Sequence, residues 1–383
     1  MSAPQTHRIS ISADGQRVVT IDQIVNELSR VWADISTEVE QQTGEIPIRT
    51  SILTLIIIAR GESQIRVAHE TLHELVEQLP SRVIVVEVSP EDSAFDASVA
   101  GHCRLHSGPR TPCYEVIELH TPPDRIKAVP SLLAQLELSG IPSAMWWVGQ
   151  IDFEADEFKR LAATADRVII DSSRFDSALD TFASFDSFLR HNDSLCSGTD
   201  LAWARIVRWR EAIAQAFDHP ETIELLPAIE AIEIGFDSTA EAQALLLLGW
   251  LASRLKWSLD SAQREGSTLH IRARNASGGP IDVHLLRQSS TGVGLRSIRI
   301  LAREKERNAR ISVRVRAENI LVTSVEWPGV PRQDRVDRLP APRLSDLIGQ
   351  ELLVRSHDEQ YHDALAFVVT VVAELGRSHE AAS

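Results

Sequence analysis

Residues 51–59 have the sequence SILTLIIIA, an unbroken apolar run dominated by isoleucine. This composition is typical of a strand buried on both faces, as in parallel sheets that helices cover on each side. Apolar side chains recur at helical spacing before this run, over residues 21–39, and after it, over residues 62–79. The region therefore predicts an α/β fold.

The alternation of strand and helix continues along the chain. Apolar runs at 83–88, 143–148 and 167–171 predict further buried strands, with helix-period segments between and after them. A hairpin over 96–106 and 113–120 interrupts the pattern, and we expect it on a sheet edge. Further segments complete the region: predicted helices at 199–217 and 239–257, and a strand-like stretch at 228–236. We predict a mostly parallel, Rossmann-like sheet covered by helices, forming a domain over residues 1–257.

The pattern changes after residue 260, where short strands are joined by turn sequences. Strands are predicted at 268–274, 281–288, 294–302 and 311–318. Helices are predicted near 343–355 and 362–374, whereas the Pro-rich, charged stretch 328–343 indicates an exposed connection. We therefore predict a second, smaller α+β domain over residues 258–383, with an antiparallel sheet and C-terminal helices.

The chain has 383 residues, 54 acidic and 39 basic side chains, and a formal net charge of −15. Such an acidic chain is a poor partner for nucleic acid. Its longest apolar runs are shorter than the roughly 18 residues of a membrane helix, and its first residues lack the pattern of a signal peptide. The small number of cysteines, three, fits a reducing compartment. From these features together we expect a cytoplasmic protein with no nucleic-acid or membrane partner. Cys103 and Cys113 bracket the hairpin loop and could approach each other.

The charge is uneven, because residues 264–316 carry 12 basic and 4 acidic side chains. Arg272 and Arg274 alternate with aliphatic residues on one predicted strand, and Arg314 and Arg316 do so on another. This alternation predicts that the arginines share one sheet face. The face is either simply solvated or a docking surface for an acidic partner or a phosphorylated ligand.

Residues 69–73 have the sequence HETLH, which matches the zinc-peptidase pattern His-Glu-x-x-His. The helix buries Leu72 and its apolar neighbours, so both histidines fall on the flank, and the buried strand that follows brings no third ligand. We predict no metal at this motif. The chain also has no phosphate-binding P-loop, no dinucleotide fingerprint and no nucleophile elbow, so we predict no cofactor and no catalytic residue.

Two other groups are candidates for binding. The stretch Asp171, Ser172, Ser173 and Arg174 leaves the carboxyl end of a predicted strand, where it either caps the next helix or contacts a ligand. Eight of the chain's twenty aromatic residues are Trp. Some of them lie beside arginines, as in ordinary helix packing or in protein interfaces. The candidates in this second group are Trp146, Trp147, Trp203, Arg205, Trp209 and Arg210.

Several blocks of the sequence resemble the OpcA family of glucose-6-phosphate dehydrogenase assembly proteins. The blocks keep the family's order over about residues 48–257, and the remainder matches more loosely. They are Arg49–Leu55 with Ala59–Gly61, Pro80–Val85, Trp146–Gly149, Asp166–Arg174, Asp200–Arg205 with Trp209–Arg210, and Gly249–Trp257.

The resemblance implies a non-enzymatic role. A member of this family is expected to bind glucose-6-phosphate dehydrogenase, to promote its active oligomer and to raise its activity in the oxidative pentose phosphate pathway. Two other hypotheses remain open: an α/β enzyme or sensor that binds a phosphorylated metabolite near Asp171–Arg174, and, last, a zinc peptidase that uses His69 and His73.

Overall fold

The computed structural model describes most of the chain. The described residues are 8–12, 20–44, 46–49, 51–75, 79–89, 95–104, 110–192, 196–288, 294–304, 307–317, 319–327, 330–353 and 358–382.

The α-helices within these ranges are α1 (Ile21–Thr43), α2 (Gly61–Leu75), α3 (Val129–Leu136), α4 (Asp156–Ala162), α5 (Ala178–His191), α6 (Leu201–Arg205), α7 (Val207–Ala216), α8 (Pro220–Ile223), α9 (Glu241–Arg254), α10 (Leu344–Leu353) and α11 (Glu359–Ala382). Short 3-10 helices cover Pro123–Ala128, Ser172–Arg174 and Leu226–Ala228.

The strands are β1 (Arg8–Ser12), β2 (Ile46–Arg49), β3 (Thr54–Arg60), β4 (Arg82–Val88), β5 (Asp96–Arg104), β6 (Arg110–Thr121), β7 (Ser143–Trp147), β8 (Arg167–Ile170), β9 (Ser197–Asp200), β10 (Ile229–Phe236), β11 (Ser258–Glu265), β12 (Thr268–Arg274), β13 (Pro280–Arg287), β14 (Leu295–Glu304), β15 (Arg307–Ala317), β16 (Ile320–Trp327) and β17 (Val330–Arg338).

Contacts divide the chain into two compact units. The first unit comprises Met1–Ile170, His191–Thr199 and Leu344–Arg355, and the second unit comprises Asp171–Arg190, Asp200–Arg343 and Ser356–Ser383. This division differs from the predicted boundary at residue 257. The physical reason is β10, which pairs with β13 and β14 in the middle of the second sheet.

The first sheet confirms the mostly parallel arrangement. Its strand order is β1-β5-β6-β4-β3-β7-β8-β9, with β2 also paired to β6. The central strands β6, β4, β3, β7 and β8 run parallel to their neighbours in this series. In β3 and β4, all residues except Arg60 at the end of β3 are buried, as the apolar runs predict.

The hairpin prediction is correct in its pairing and wrong in its position. Strands β5 and β6 are antiparallel, with Cys103 opposite Cys113, and the structure joins these two residues by a disulfide bond. However, β6 also pairs with β4, and β1 pairs with β5, so the hairpin lies inside the sheet. The sequence suggests that Cys103 and Cys113 could approach each other, and in the structure they do so as a disulfide bond. The expectation of a reducing compartment, which rests on the small number of cysteines, does not predict this bond.

The second sheet is mostly antiparallel, as predicted, with the order β11-β12-β13-β10-β14-β15-β16-β17. One face is apolar, and Ile271, Val283, Ile232, Ile300 and Ile311 form a buried row across five strands. Helices α7, α9 and α11 contact strands of this sheet. The opposite face carries the polar residues of the same strands.

Two predictions need correction in the second unit. The helix predicted over 199–217 is instead strand β9 followed by α6 and α7, because the Asp200 carboxylate accepts the backbone N–H of Ala202 and starts a new helix there. The predicted connection 328–343 contains β17, which pairs with β16 despite its proline and charges. An edge strand tolerates both, since only one of its sides needs a partner.

Candidate functional site

The crevice at the carboxyl ends of β3 and β7 is the usual ligand position in a Rossmann-like sheet. Here, side chains of the chain itself contact one another at the turn from β3 to α2. The Gln64 side chain accepts the backbone N–H of Arg60 at 2.9 Å, and a side chain at Gly149 would collide with it. The Arg60 guanidinium pairs with Glu157 and lies 5.7 Å from the centre of the Trp147 ring. This turn contains a single glycine, Gly61, whereas the dinucleotide fingerprint has three.

Asp171 does not cap the helix that follows it. Its carboxylate instead accepts two hydrogen bonds from Arg205, at 2.6 and 2.9 Å, and one from Arg174 at 3.2 Å. At the start of α5, Ser177 Oγ accepts the backbone N–H of Asp180, whereas Asp200 caps α6 and also accepts the backbone N–H of Ser172. The capping interpretation of Asp171 is therefore wrong.

The same contacts bear on the hypothesis of a phosphorylated ligand. Arg205 and Arg174 are the cations that such a ligand would need, and Asp171 already neutralises both. Ser172 is buried, and Ser173 is only partly exposed. A phosphate would have to displace the Asp171 carboxylate before it could bind there.

The candidate tryptophans are core residues in this structure. Trp146, Trp147, Trp203 and Trp209 are all buried. Trp203 donates its indole N–H to Asp358 at 2.8 Å, and the Arg210 guanidinium stacks 3.6 Å from the centre of its ring. These contacts match the packing alternative, in which the tryptophans hold helices together.

The candidate arginines of the second sheet share one face. Residues that are paired on adjacent strands lie on the same face of a sheet. Arg272 is opposite Asp282, Asp282 is opposite Ala231, Ala231 is opposite Leu301, and Leu301 is opposite Arg310. Arg314 follows Arg310 by four residues on the same strand, where alternation keeps it on that side, and the exposed Arg316 lies next to it at an irregularity in the β15–β16 pairing. We refer to this surface as the arginine face. Strands β12 and β15 are four positions apart in the sheet, or about 19 Å at the usual strand spacing, so the face holds two separate groups.

The two groups differ in how far acidic neighbours neutralise them. Arg274 pairs with Asp260 at 2.8 Å, and Arg272 pairs with Asp282 at 3.6 Å. Arg314 and Arg316 are exposed, and no carboxylate among the described residues lies within 4.0 Å of either guanidinium. Arg314 is near enough to Asp334 to lower the pKa of that carboxyl, but neither Arg314 nor Arg316 forms a direct ion pair with a described residue, unlike Arg272 and Arg274.

The His-Glu-x-x-His stretch takes part in a contact that the motif does not suggest. As predicted, Glu70 is exposed and the two histidines lie on the helix flank. His69 turns toward the sheet and donates to Glu87 at 2.5 Å, while His120 donates to the other Glu87 oxygen at 3.1 Å. Burial raises the pKa of Glu87, but these two hydrogen bonds outweigh it and lower the pKa to about 2. The same hydrogen bonds raise the pKa of both imidazoles.

Sequence reasoning did not identify Glu87, Glu118 and His120 as a group. A signal for them exists, because Glu87 and Glu118 interrupt the otherwise apolar runs VIVVEV and VIEL. A carboxylate inside a buried strand needs a cation or a hydrogen-bond donor beside it. The identity of that partner depends on α2 and on the order of the strands, which the local sequence does not reveal.

No helix in the described ranges is both long enough and apolar enough to cross a membrane.

Solved structures share this architecture at low sequence identity. An oxidoreductase from Sinorhizobium meliloti aligns with a TM-score of 0.53 and 12% identity, covering 87% of this chain and 98% of that one. The super-repressor mutant of Gal80p from Saccharomyces cerevisiae aligns with a TM-score of 0.50 and 11% identity, over the same shares of the two chains. These matches define the fold class of the chain: a Rossmann-like α/β unit, and a unit built on an open, mostly antiparallel sheet.

Within that class, sequence comparison is more specific. Two family models match: the glucose-6-phosphate dehydrogenase subunit N-terminal domain over residues 72–187, and the corresponding C-terminal domain over residues 196–365. The chain belongs to the OpcA family of glucose-6-phosphate dehydrogenase assembly proteins.

Curated relatives carry the provisional name OxPP cycle protein OpcA. The protein from Nostoc punctiforme is 31% identical over 201 residues, which are 52% of this chain and 43% of that protein. The protein from Synechocystis sp. is 25% identical over 305 residues, which are 76% of this chain and 64% of that protein. The matched segments thus span 43% and 64% of the length of these two relatives.

Proposed function

We propose that this protein is a non-enzymatic assembly factor and activator of glucose-6-phosphate dehydrogenase, which it binds directly in the cytoplasm. The observation that carries the proposal is the match of both halves of the chain to domains described as subunits of that enzyme. Binding raises activity if the protein has a higher affinity for the active oligomer than for the inactive form, because a ligand shifts an equilibrium only through such a difference.

The crevice of the first sheet supports a role without catalysis. The Gln64 side chain accepts the backbone N–H of Arg60 at the β3–α2 turn, and this turn has a single glycine. A hydride-transfer enzyme of this architecture needs the corresponding turn to hold its cofactor. The fold is therefore better suited here to presenting surfaces than to holding a nucleotide.

For the docking surface we propose the arginine face, centred on Arg314 and Arg316. Both side chains are exposed, and neither forms a direct ion pair with a described residue, whereas Arg272 and Arg274 do. Exposed guanidinium groups of this kind bind carboxylates through paired hydrogen bonds. An acidic patch on the dehydrogenase is the matching partner.

The proposed function is tested by assaying the dehydrogenase of the same organism with increasing amounts of this protein. We expect a saturable gain in catalytic efficiency, together with a shift of the enzyme to a larger species in size-exclusion chromatography. Unchanged kinetics and unchanged elution would refute the proposal. Binding of a phosphorylated sugar to this protein alone, lost on Arg174→Ser, would favour the metabolite-sensor hypothesis instead.

The docking surface is tested separately with charge-matched variants. The double variant R314S/R316S is expected to weaken activation by about tenfold or more, the usual loss for charged contacts at the centre of an interface. R272S/R274S should weaken it less, because those guanidinium groups are already paired. The control R125S/R160S removes two exposed charges from the first unit. Equal effects of the control and of R314S/R316S would contradict this choice of surface.

A further inference from the structure

Two histidines and two glutamates from three elements meet on one face of the first unit's sheet. His69 belongs to α2, Glu87 to β4, and Glu118 and His120 to β6. Register places Glu87 opposite His120, and Glu118 lies two residues before His120, so it shares their face. The strand order thus brings three of the four groups together, and α2 brings the fourth over them.

The nitrogen and oxygen atoms of this cluster have the spacing of metal ligands. His69 Nε2 lies 2.5 Å from Glu87 Oε1, and His69 Nδ1 lies 3.7 Å from Glu118 Oε1. One ligand atom from each of these three residues falls within 4.8 Å of the other two, and His120 Nδ1 is 3.1 Å from Glu87 Oε2. Around a tetrahedral ion with bonds of about 2.0–2.2 Å, ligand atoms are about 3.3–3.6 Å apart. The separation of His69 Nδ1 and Glu118 Oε1 is close to that range, whereas the shorter separation of His69 Nε2 and Glu87 Oε1 is that of a hydrogen bond, which a bound ion would replace.

The charges in the cluster favour a divalent cation. The Glu87 side chain is only 9% exposed, and a buried carboxylate is costly unless it is paired or coordinates a metal. A divalent ion balances the charges of the Glu87 and Glu118 carboxylates, and the neutral imidazole of His69 is the form in which histidine coordinates metals.

A supporting contact orients one of the ligands. Ser98 Oγ donates to Glu118 Oε2 at 2.9 Å, which holds one carboxylate oxygen and leaves Oε1 directed at His69. Outer hydrogen bonds of this kind fix ligand geometry in metal sites. Glu118 and His120 are both partly exposed, so an ion can enter from solvent.

We propose that His69, Glu87 and Glu118 bind a divalent first-row transition metal ion such as Zn²⁺, with His120 hydrogen-bonded to Glu87 beside the site. The ion ties α2, through His69, to β4 and β6. The site is independent of the docking surface on the second unit. It shares His69 with the His-Glu-x-x-His stretch and does not use His73.

The test is a titration of the untagged full chain, first stripped of metal with a chelator. Co²⁺ is the probe, because a tetrahedral Co²⁺ site has visible absorption bands, and Zn²⁺ then displaces it. We expect one Co²⁺ per chain. His69→Gln and Glu118→Gln should each weaken binding by about tenfold or more, whereas His73→Gln on the same helix should leave it unchanged.

The variants also separate loss of the site from loss of the fold. Glu118 is partly exposed, so Glu118→Gln should keep the native circular dichroism spectrum even where His69→Gln does not. Folded wild-type protein that binds no Co²⁺ stoichiometrically would overturn the proposal. Loss of binding in His73→Gln to the same degree as in His69→Gln would also overturn it, since the ion would then belong to the His-Glu-x-x-His stretch.

Discussion

Glu115 is the centre of a buried ion cluster in the first unit, and replacing it by Gln gives the sharpest prediction about stability. Its carboxylate is fully buried and accepts hydrogen bonds from Arg82, from Arg49 at 2.8 Å and from Trp32 at 2.9 Å. Glu115→Gln keeps the shape and one acceptor oxygen but removes the negative charge. The two arginines then lose their counter-ion.

The magnitude follows from how far each arginine can regain water. The Arg49 side chain is 45% exposed, so it can rehydrate at little cost. The Arg82 side chain is only 8% exposed and stays charged inside the unit. Leaving one buried partner uncompensated costs about 3–5 kcal/mol, and because Gln still accepts one hydrogen bond, we expect a loss near the lower limit, about 3 kcal/mol.

Urea denaturation followed by circular dichroism measures this loss. The control Glu154→Gln breaks an exposed ion pair with Lys159 and should cost less than about 1 kcal/mol. The double variant R82M/E115Q should recover part of the loss, because no buried charge then remains. A loss for Glu115→Gln no larger than that of the control would show that the cluster does not stabilise the fold.

The same residue sets a pH dependence on the acid side. Burial raises the pKa of Glu115, but the Arg82 charge and the hydrogen bonds from Arg49 and Trp32 outweigh it, so the pKa lies below its ordinary 4.5. The stabilisation is therefore present above the unfolded-state pKa and is lost as the pH falls through the folded-state value. Glu115→Gln should flatten this acid limb of the stability profile.

Two further predictions concern the second unit. Gly249→Ala places a methyl group 2.3 Å from the Ala364 carbonyl, where α9 meets α11. This clash should lower the free energy of unfolding by about 1–3 kcal/mol. Gly376→Ala, which adds a methyl group in open space, is the control, and equal melting temperatures for the two variants would contradict the close packing. Burial raises the pKa of Asp200 from 3.8 to about 7, so the folded state holds a proton that the unfolded chain releases, and stability should fall as the pH rises across that interval. Urea titrations at pH 5 and pH 8 should show this fall in the wild type but not in Asp200→Asn.

The sequence predicts the first sheet well because its strands are buried on both faces. Residues 55–59 and 83–86 are apolar throughout, and few other environments favour such runs. The alternating strands of the second sheet are predicted for a related reason, since one of its faces is packed and the other is not.

The sequence does not reveal which sheet a strand joins. Strand β10 has a pattern like that of its neighbours, yet it pairs with β13 and β14, which follow it by about 45 residues or more. Such pairing depends on the burial of whole faces, which no local window contains. For the same reason the predicted domain boundary at residue 257 differs from the division that the contacts define.

The candidate site was partly accessible from the sequence. Alternation placed Arg272 and Arg314 on one face, and the register confirms it. The acids that neutralise Arg272 and Arg274 come from other strands, so the difference between the two arginine groups required the structure. The cluster around Glu87 likewise combines a helix and two strands that are separated along the chain.

Native mass spectrometry of an equimolar mixture with glucose-6-phosphate dehydrogenase tests the central claim most directly. The proposal predicts a species whose mass contains both chains, abundant for the wild type and for R125S/R160S and depleted for R314S/R316S. Spectra that show only the two separate proteins, at concentrations where the enzyme assay is saturated, would contradict direct binding.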